Sequence, residues 1–167
     1  QYDGILIRSA TKLTSDILAD CKNLKVIGRA GVGVDNVDLD QATKNRILVM
    51  NTPLGNLEAT AELSVGLMFS IMRNIHLAND STHQGKWEKP KFLGTELKGK
   101  VLGIVGYGNI GQRVAEICST IGMKIITNSK SASDDDLSKF DVKKVSTEDL
   151  IKDADIITLH TKLNDET

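Results

Sequence analysis

Three glycines with a defined spacing directly follow an apolar run in the second half of the chain. Gly106, Gly108 and Gly111 form the pattern G-x-G-x-x-G, and a helix-like stretch comes next. In a strand–turn–helix unit, the first glycine permits a tight turn, the second lets the backbone approach a pyrophosphate, and the third lets the helix pack closely on the strand. The pattern therefore predicts a Rossmann-type dinucleotide site. Backbone amides near Asn109 and Ile110 would face the phosphates from the positive end of the helix.

The residues after the next predicted strand bear on which dinucleotide binds. In NAD-binding folds an Asp or Glu about twenty residues beyond the glycines usually accepts a hydrogen bond from the ribose 2′-hydroxyl. This chain has Asn128-Ser129-Lys130 at that place, with no carboxylate. A serine followed by a lysine can accept the 2′-phosphate of NADP, and it is equally compatible with NAD held by one hydrogen bond fewer. We predict NAD as the cofactor, with NADP as an open alternative resting on Ser129 and Lys130.

The bulk composition excludes several other classes of partner. Lys plus Arg total 21 and Asp plus Glu total 22, so the chain has no excess of positive charge to attract nucleic acid or an anionic membrane. No apolar run is long enough to span a bilayer. Cys21 and Cys118 are far apart and lack metal-ligand spacing, which predicts no metal site and reduced thiols in a cytoplasmic protein.

Short apolar runs alternate with helix-like stretches, a pattern typical of an α/β fold. Strands are predicted at residues 5–7, 24–27, 47–50, 101–105, 124–127 and 154–159. Helices are predicted after caps at Thr14, Asp38 and Ser146, from 58 to 75, and from 110 to 121 with Gly122 as its C-cap. The helix at 58–75 is apolar nearly all round, which indicates burial or a position between domains. The acidic run Asp134-Asp135-Asp136 is predicted to be a solvated loop.

Several stretches together resemble the D-isomer-specific 2-hydroxyacid dehydrogenases. They are 6–12 (LIRSATK), 28–38 (GRAGVGVDNVD), 49–53 (VMNTP), 85–87 (GKW), 94–100 (GTELKGK) and the glycine turn. The resemblance implies a partial flavodoxin-like substrate-binding domain at 1–52 and a linker helix and connection at 53–96. Residues 97–167 would be the first half of an NAD(P)-binding Rossmann domain with a parallel sheet. The chain lacks an initiator Met and both ends lie next to predicted strands, so we interpret it as an internal segment of a longer protein.

The resemblance also implies roles for individual residues. It places the substrate contacts at Arg8, Ser9, Ala30, Gly31, Val32 and Gly33. It places the cofactor contacts at Val32, Gly106, Gly108, Asn109, Ile110, Gly111, Ser129 and Thr161. An arginine suits a carboxylate or phosphate because its guanidinium offers a two-pronged donor, although Arg8 would also fit a surface salt bridge. Two departures from the family are the missing ribose carboxylate and Lys162, where the family usually has Pro.

The proton-transfer residues of the family have no counterpart in this chain. In the family a His exchanges the proton with the substrate hydroxyl, a Glu orients it and an Arg holds the carboxylate, and all three would lie beyond residue 167. The histidines present, His76, His83 and His160, do not match that role. We therefore predict no catalytic residue within 1–167 and no turnover by this segment alone, since proton transfer commonly contributes about 10²–10⁴-fold.

The resemblance implies hydride transfer between a nicotinamide cofactor and a small anionic D-2-hydroxy or 2-keto acid. The stretch from Arg8 to Lys12 favours oxidation of 3-phospho-D-glycerate to 3-phosphohydroxypyruvate, a step of L-serine biosynthesis. Ser129 and Lys130 favour instead an NADP-dependent glyoxylate or hydroxypyruvate reductase. A third alternative is a non-enzymatic, dinucleotide-sensing relative similar to transcriptional corepressors. Family members usually assemble as homodimers or homotetramers, and the same is expected of the full-length protein.

Overall fold

The computed structural model describes residues 2–161, so the predicted departure at Lys162 lies outside the described residues. The chain forms two compact units, Gln1–Asn56 and Leu57–Thr167. Each unit has a parallel sheet with helical connections, which confirms the prediction of an α/β fold.

The first unit is built on a 3-stranded parallel sheet in the order β1-β2-β3. The strands are β1 (Gly4–Ile7), β2 (Val26–Arg29) and β3 (Leu48–Asn51). Helices α1 (Ser15–Ala19) and α2 (Leu39–Lys44) connect them. Ile7 pairs with Arg29, and Arg29 pairs with Asn51, so the carboxyl ends of all the strands meet at one edge. The core comprises Ile7, Leu13, Leu18, Ile27, Val37, Ala42 and Ile47.

Strand β2 lies two residues later than the sequence predicted. Gly28 belongs to the strand, where it pairs with Leu6 of β1 and Met50 of β3, and a side chain at this position would collide with that of Leu6. The predicted residues Leu24 and Lys25 precede the strand, and the Lys25 amide donates to the Asp3 carbonyl at 2.8 Å. The shift matters for the site, because it makes Arg29 the last residue of β2.

The second unit contains a 4-stranded parallel sheet in the order β6-β5-β4-β7. Its strands are β4 (Val101–Val105), β5 (Lys124–Thr127), β6 (Lys143–Lys144) and β7 (Ile156–Leu159). Its helices are α3 (Leu57–Met72), α4 (Ile75–His83), α5 (Asn109–Ile121), α6 (Asp134–Ser138) and α7 (Thr147–Asp153), with a 3₁₀ turn at Lys89–Phe92. The chain builds outward from β4 to β6 and then returns to the other side of β4. This is the strand order of a Rossmann half, and the carboxyl end of β4 is its topological switch point, where such folds bind ligands.

The helix predicted at 58–75 is confirmed as α3, although it ends three residues earlier than predicted. Helix α3 ends at Met72, Asn74 takes a left-handed conformation with φ of 53°, and α4 begins at Ile75. Asparagine tolerates this conformation better than most residues, so the chain can change direction here. Ala61, Val65 and Met68 are buried in the core with Leu102, Ile104, Val114, Ala115 and Cys118. Leu63, Leu67 and Ile71 are exposed, so α3 has one buried face in the described structure.

Most of the predicted helix caps are confirmed. The Asp38 side chain accepts from the Gln41 amide at 2.8 Å, and Ser146 accepts from the Asp149 amide at 3.0 Å. Gly122 ends α5 in a left-handed conformation with φ of 89°. Thr14 occupies the N-cap position of α1, but its hydroxyl makes no capping hydrogen bond.

The prediction that the acidic run at 134–136 is a loop was wrong. These residues form the first turn of α6. Ser133 caps the helix by accepting from the Asp136 amide at 3.2 Å. Carboxylates in the first turn of a helix are stabilised by the positive end of its dipole. Our prediction was based on the charge of the run alone and left this stabilisation out.

Within residues 2–161, no helix is long and apolar enough to cross a membrane. The same residues include no group of three or more His, Cys, Asp or Glu side chains that could hold a metal ion. Both cysteines are free thiols, and burial raises the pKa of Cys118 to about 11.

Candidate functional site

The glycine turn between β4 and α5 forms a cradle whose shape requires glycine at its first position. Gly106 has a backbone φ of 90°, a conformation that residues other than glycine rarely adopt. A Cβ there would lie 2.6 Å from the His160 carbonyl oxygen and 2.8 Å from the Thr161 amide nitrogen. The His160 amide in turn donates to the Val105 carbonyl at 2.8 Å. The backbone after β7 is therefore packed directly on the turn, and it brings Thr161 beside the cradle.

The second and third glycines differ in what surrounds them. A Cβ on Gly111 would collide with the Gly106 carbonyl oxygen and lie 3.3 Å from Cγ2 of Ile104, so this glycine sets the close approach of α5 to β4. Among residues 2–161, a Cβ on Gly108 would meet nothing within 4 Å. Gly108 is the N-cap of the 13-residue helix α5. The first amides of a helix, here those of Asn109 and Ile110, have no partners within it, so a pyrophosphate would find donors and space at this point.

A buried hydroxyl connects the cradle to the residues after β5. Thr127 is fully buried at the end of β5, and its Oγ1 donates to the Ile104 carbonyl at 2.7 Å. The same oxygen accepts from the Ser129 amide at 3.2 Å. Thr127 therefore fixes the predicted ribose contact Ser129 relative to β4. Sequence reasoning missed this residue, although a polar side chain ending an apolar strand was a usable signal.

His160 is half-buried at the end of β7, beside the cradle. Its Nε2 lies 3.0 Å from Thr158 Oγ1. Burial lowers the pKa of His160 below its usual value, so the neutral imidazole is favoured near neutral pH. The other histidines, His76 and His83, are exposed on α4.

The first unit has a separate cleft at the carboxyl edge of its sheet. It has a volume of about 500 Å³. The cleft is lined by Arg8, Ser9, Arg29, Ala30, Gly31, Thr52, Gly55 and Asn56. Four predicted substrate contacts, at positions 8, 9, 30 and 31, therefore share one cleft. Val32 and Gly33 follow in the same turn but do not line this cleft.

Arg29 is the most informative cleft residue, and sequence reasoning did not identify it. Its guanidinium lies against Gly31, where a Cβ would collide with Nη1. Its Nε is buried and has no hydrogen-bond partner among the described residues. A buried unsatisfied donor costs about 1–3 kcal/mol, and more for a charged group, so this arginine is suited to accept an anion. The sequence does not show the pairing of Ile7 with Arg29, and this pairing places Arg29 at the same edge of the sheet as Arg8.

Two asparagines hold the loops that form the cleft. Asn36 is buried, and its Nδ2 donates to the Arg8 carbonyl at 3.0 Å and to the Thr11 carbonyl at 2.6 Å. Asn51 Nδ2 donates to the Val32 carbonyl at 2.7 Å. The loop that carries Arg8 and the turn that carries Gly31 are therefore each fixed by a side chain from elsewhere in the first unit.

The fold and the cradle define a dinucleotide-binding protein of the Rossmann class. Residues 65–167 match the sequence model of the D-isomer specific 2-hydroxyacid dehydrogenase NAD binding domain. The chain belongs to this family. It is 48% identical over 161 residues to D-3-phosphoglycerate dehydrogenase of Sus scrofa, covering 96% of this chain and 30% of that protein. It is 44% identical over 167 residues to hydroxypyruvate reductase of Thermotoga maritima, covering 100% of this chain and 54% of that protein.

Solved structures of the family have the same architecture. D-Lactate dehydrogenase from Aquifex aeolicus, complexed with NAD and lactic acid, matches with a TM-score of 0.88 and 29% identity. That match covers 99% of this chain and 50% of that one. An acyclic imino acid reductase in complex with NADPH and D-Arg matches with a TM-score of 0.85 and 30% identity, covering 99% and 52% of the two chains. The chain thus spans between 30% and 54% of the length of these relatives.

Proposed function

We propose that the full-length protein is an NAD(P)-dependent 2-hydroxyacid dehydrogenase that interconverts 3-phospho-D-glycerate and 3-phosphohydroxypyruvate. The observation that carries the proposal is the cleft in which Arg8 and Arg29 occur together, with Arg29 Nε buried and without a hydrogen-bond partner in the part of the chain that the structure describes. Two guanidinium groups suit a substrate with two anionic groups, a carboxylate and a phosphate. The relative from Sus scrofa, named for this substrate, supports the choice.

The substrate side of the site is proposed to work by charge and by backbone donors. Arg29 binds the phosphate of the substrate, and the exposed Arg8 with Ser9 assists in binding its carboxylate. Backbone amides of the turn from Ala30 to Gly33 hold the carboxylate, and Val32 borders the nicotinamide. Asn36 and Asn51 keep these loops in place through the hydrogen bonds described above.

The cofactor side is proposed to hold the dinucleotide at the β4 switch point. The space at Gly108 and the amides of Asn109 and Ile110 fit a pyrophosphate, while Ser129 fits the adenosine ribose and Thr161 the far side of the cradle. The nicotinamide supplies the hydride chemistry, whereas the protein supplies position and charge. Residues 1–52, 53–96 and 97–167 serve as substrate domain, linker and cofactor domain. The proton-transferring His, its Glu partner and the carboxylate-binding Arg come from the remainder of the protein.

The substitution Arg29→Gln tests the proposed substrate. In the full-length protein it is expected to lower kcat/KM for 3-phosphohydroxypyruvate by about 100-fold, because a charge-assisted contact is worth about 1.5–3 kcal/mol and the glutamine has no charge. The loss for unphosphorylated hydroxypyruvate should be less than about tenfold. Steady-state oxidation of the reduced cofactor with each substrate gives both ratios.

The matched control is Lys44→Gln, which removes one exposed positive charge on α2 away from the cleft. It should leave both ratios unchanged. Equal losses for the two substrates in Arg29→Gln would show that Arg29 does not bind the phosphate, and its assignment as the phosphate contact would then be wrong.

A glyoxylate or hydroxypyruvate reductase is the second candidate. It is favoured by the 44% identity to the Thermotoga maritima hydroxypyruvate reductase and by the absence of a carboxylate at Ser129. The same assay decides between the two. A wild-type kcat/KM higher for hydroxypyruvate or glyoxylate than for the phosphorylated substrate would select the reductase.

We further propose that the full-length protein is a homodimer or homotetramer whose subunits contact through α3. Leu63, Leu67 and Ile71 are spaced by one helical turn on its outer face and are 64%, 53% and 66% exposed.

Leu67→Lys is expected to reduce the molar mass measured by light scattering, because it places a charge in an apolar contact. Glu62→Lys, at a neighbouring exposed position of α3, is the control. A mass unaltered by Leu67→Lys would contradict this contact.

The cytoplasmic location of the protein stays a prediction.

A further inference from the structure

The loop after β5, residues 128–133, combines hydroxyl groups with lysines; we refer to it as the ribose loop. Its sequence is Asn-Ser-Lys-Ser-Ala-Ser, with no carboxylate. Strand β6 pairs with β5 so that Lys144 lies opposite Thr127, and Lys144 Nζ donates to the Lys130 carbonyl at 3.2 Å. The edge strand thus brings a second ammonium group to the loop. Sequence reasoning identified Lys130 but missed both β6 and Lys144.

The hydroxyl groups of the loop converge where the fold binds the adenosine ribose. The Ser129 amide is held by Thr127, and Ser129 Oγ lies 3.3 Å from Ser131 Oγ. On the other side, Asn128 Nδ2 donates to Thr147 Oγ1 at 3.1 Å, which ties the loop to α7. Ser129 is half-buried, whereas Lys130 and Ser131 are exposed. The loop is therefore anchored at its base, and it carries hydroxyl groups and the exposed Lys130.

The acidic residues nearest in sequence begin in α6. Asp136 is engaged by Lys139 Nζ and by Ser133 Oγ, each at 2.7 Å, and these contacts lower the pKa of its carboxyl. Asp134 and Asp135 are exposed in the same first turn. These carboxylates belong to the helix, whereas the position at which NAD-binding folds place an acceptor for the 2′-hydroxyl is a serine.

The lysines and the lack of a carboxylate in the ribose loop bear on whether the adenosine ribose carries a 2′-hydroxyl, as in NAD, or a 2′-phosphate, as in NADP. A carboxylate after the second strand accepts from the 2′-hydroxyl of NAD and repels a 2′-phosphate, whereas a nearby cation accommodates that phosphate. We propose that the protein binds NADPH more tightly than NADH, and that Ser129, Lys130 and Lys144 are the residues that determine this selectivity. The inference rests on the proposed binding of a dinucleotide in the cradle, and it goes further by naming the cofactor and its contacts.

Titration of the full-length protein with NADPH and with NADH, without substrate, tests the selectivity by calorimetry. The wild type is expected to bind NADPH at least about tenfold more tightly, because the 2′-phosphate gains charge-assisted contacts. Lys130→Met and Lys144→Met should each weaken NADPH several-fold and leave NADH within about twofold. Ser129→Asp should reverse the preference. Added salt should reduce the advantage of NADPH, because the two lysines are exposed.

Lys152→Met is the matched control, because it removes one exposed lysine on α7 and lies outside the ribose loop. It should leave the ratio of the two dissociation constants unchanged. A wild type that binds NADH as tightly as NADPH, or more tightly, would overturn the selectivity while leaving the proposed function intact. Binding of neither dinucleotide would overturn the proposed function itself. If Ser129→Asp does not fold, the two lysine variants decide, since their side chains are exposed.

Discussion

Replacing Gly108 with valine is expected to abolish dinucleotide binding while the cofactor-binding unit stays folded. No described residue lies within 4 Å of a Cβ at this position, and the backbone φ of −80° is open to any residue. The valine side chain would instead fill the space proposed for the pyrophosphate at the N-terminus of α5. We expect the dissociation constants of NADPH and NADH to rise by at least about 100-fold, or about 3 kcal/mol.

The control for this substitution is Gly66→Ala in α3. A Cβ there also meets nothing within 4 Å, and alanine in a helix is favoured over glycine by about 0.5–1 kcal/mol. This variant should bind both dinucleotides normally and be slightly more stable. Thermal unfolding followed by circular dichroism should show both variants folded. Normal binding by Gly108→Val would mean that the pyrophosphate does not approach the chain at Gly108.

The substitution Gly111→Val is expected to act on stability first, whereas Gly108→Val is expected to act on cofactor binding. Its Cβ would collide with the Gly106 carbonyl oxygen and crowd Ile104, so α5 would have to move away from β4. Overpacking a filled core commonly costs about 1–3 kcal/mol, and here one obstacle is backbone, which relaxes poorly. We expect a loss of at least about 2 kcal/mol in the free energy of unfolding by urea, with cofactor binding lost as a consequence.

The control is Thr120→Val, which places a valine at an exposed position of the same helix. It should change the free energy of unfolding by less than about 0.5 kcal/mol. Equal stabilities of Gly111→Val and the wild type would show that the helix does not need its close approach to β4. Together the two glycine variants separate a residue needed for the ligand from one needed for the fold.

The glycine turn was predictable because each of its requirements is local. A strand, a tight turn and a helix follow one another within a few residues, so the roles of Gly106 and Gly111 could be assigned before their contacts were known. Helix caps at Asp38 and Ser146 were predictable for the same reason, since the capping groups are three residues apart.

The contacts that position the site could not be predicted, because they join residues distant in sequence. Asn36 and Arg8 are 28 residues apart, and Thr127 and Ile104 are 23 apart. Each pairing depends on which strands are neighbours in the sheet. Arg29 was missed for a related reason. Its position at the edge of the sheet with Arg8 follows from the pairing of Ile7 with Arg29, which composition and periodicity do not reveal.

The break between α3 and α4 and the short helix α6 show a different limit. Asn74 is one polar residue in a long helix-like stretch, and only its left-handed backbone reveals the change of direction. The acidic run from Asp134 to Asp136 was interpreted from its charge, whereas the preceding Ser133 determines that a helix begins there. The left-handed backbone of Asn74 and the capping hydroxyl of Ser133 are both local features, and our prediction gave more weight to the apolar or charged pattern around them.

We propose above all that the full-length protein is a D-specific 2-hydroxyacid dehydrogenase acting on a phosphorylated substrate. The most direct test is to let it reduce 3-phosphohydroxypyruvate with NADPH or NADH and to identify the product enantiomer by chiral chromatography. We predict 3-phospho-D-glycerate as the product. Formation of the L-enantiomer, or no consumption of either reduced cofactor with this substrate, would contradict the claim.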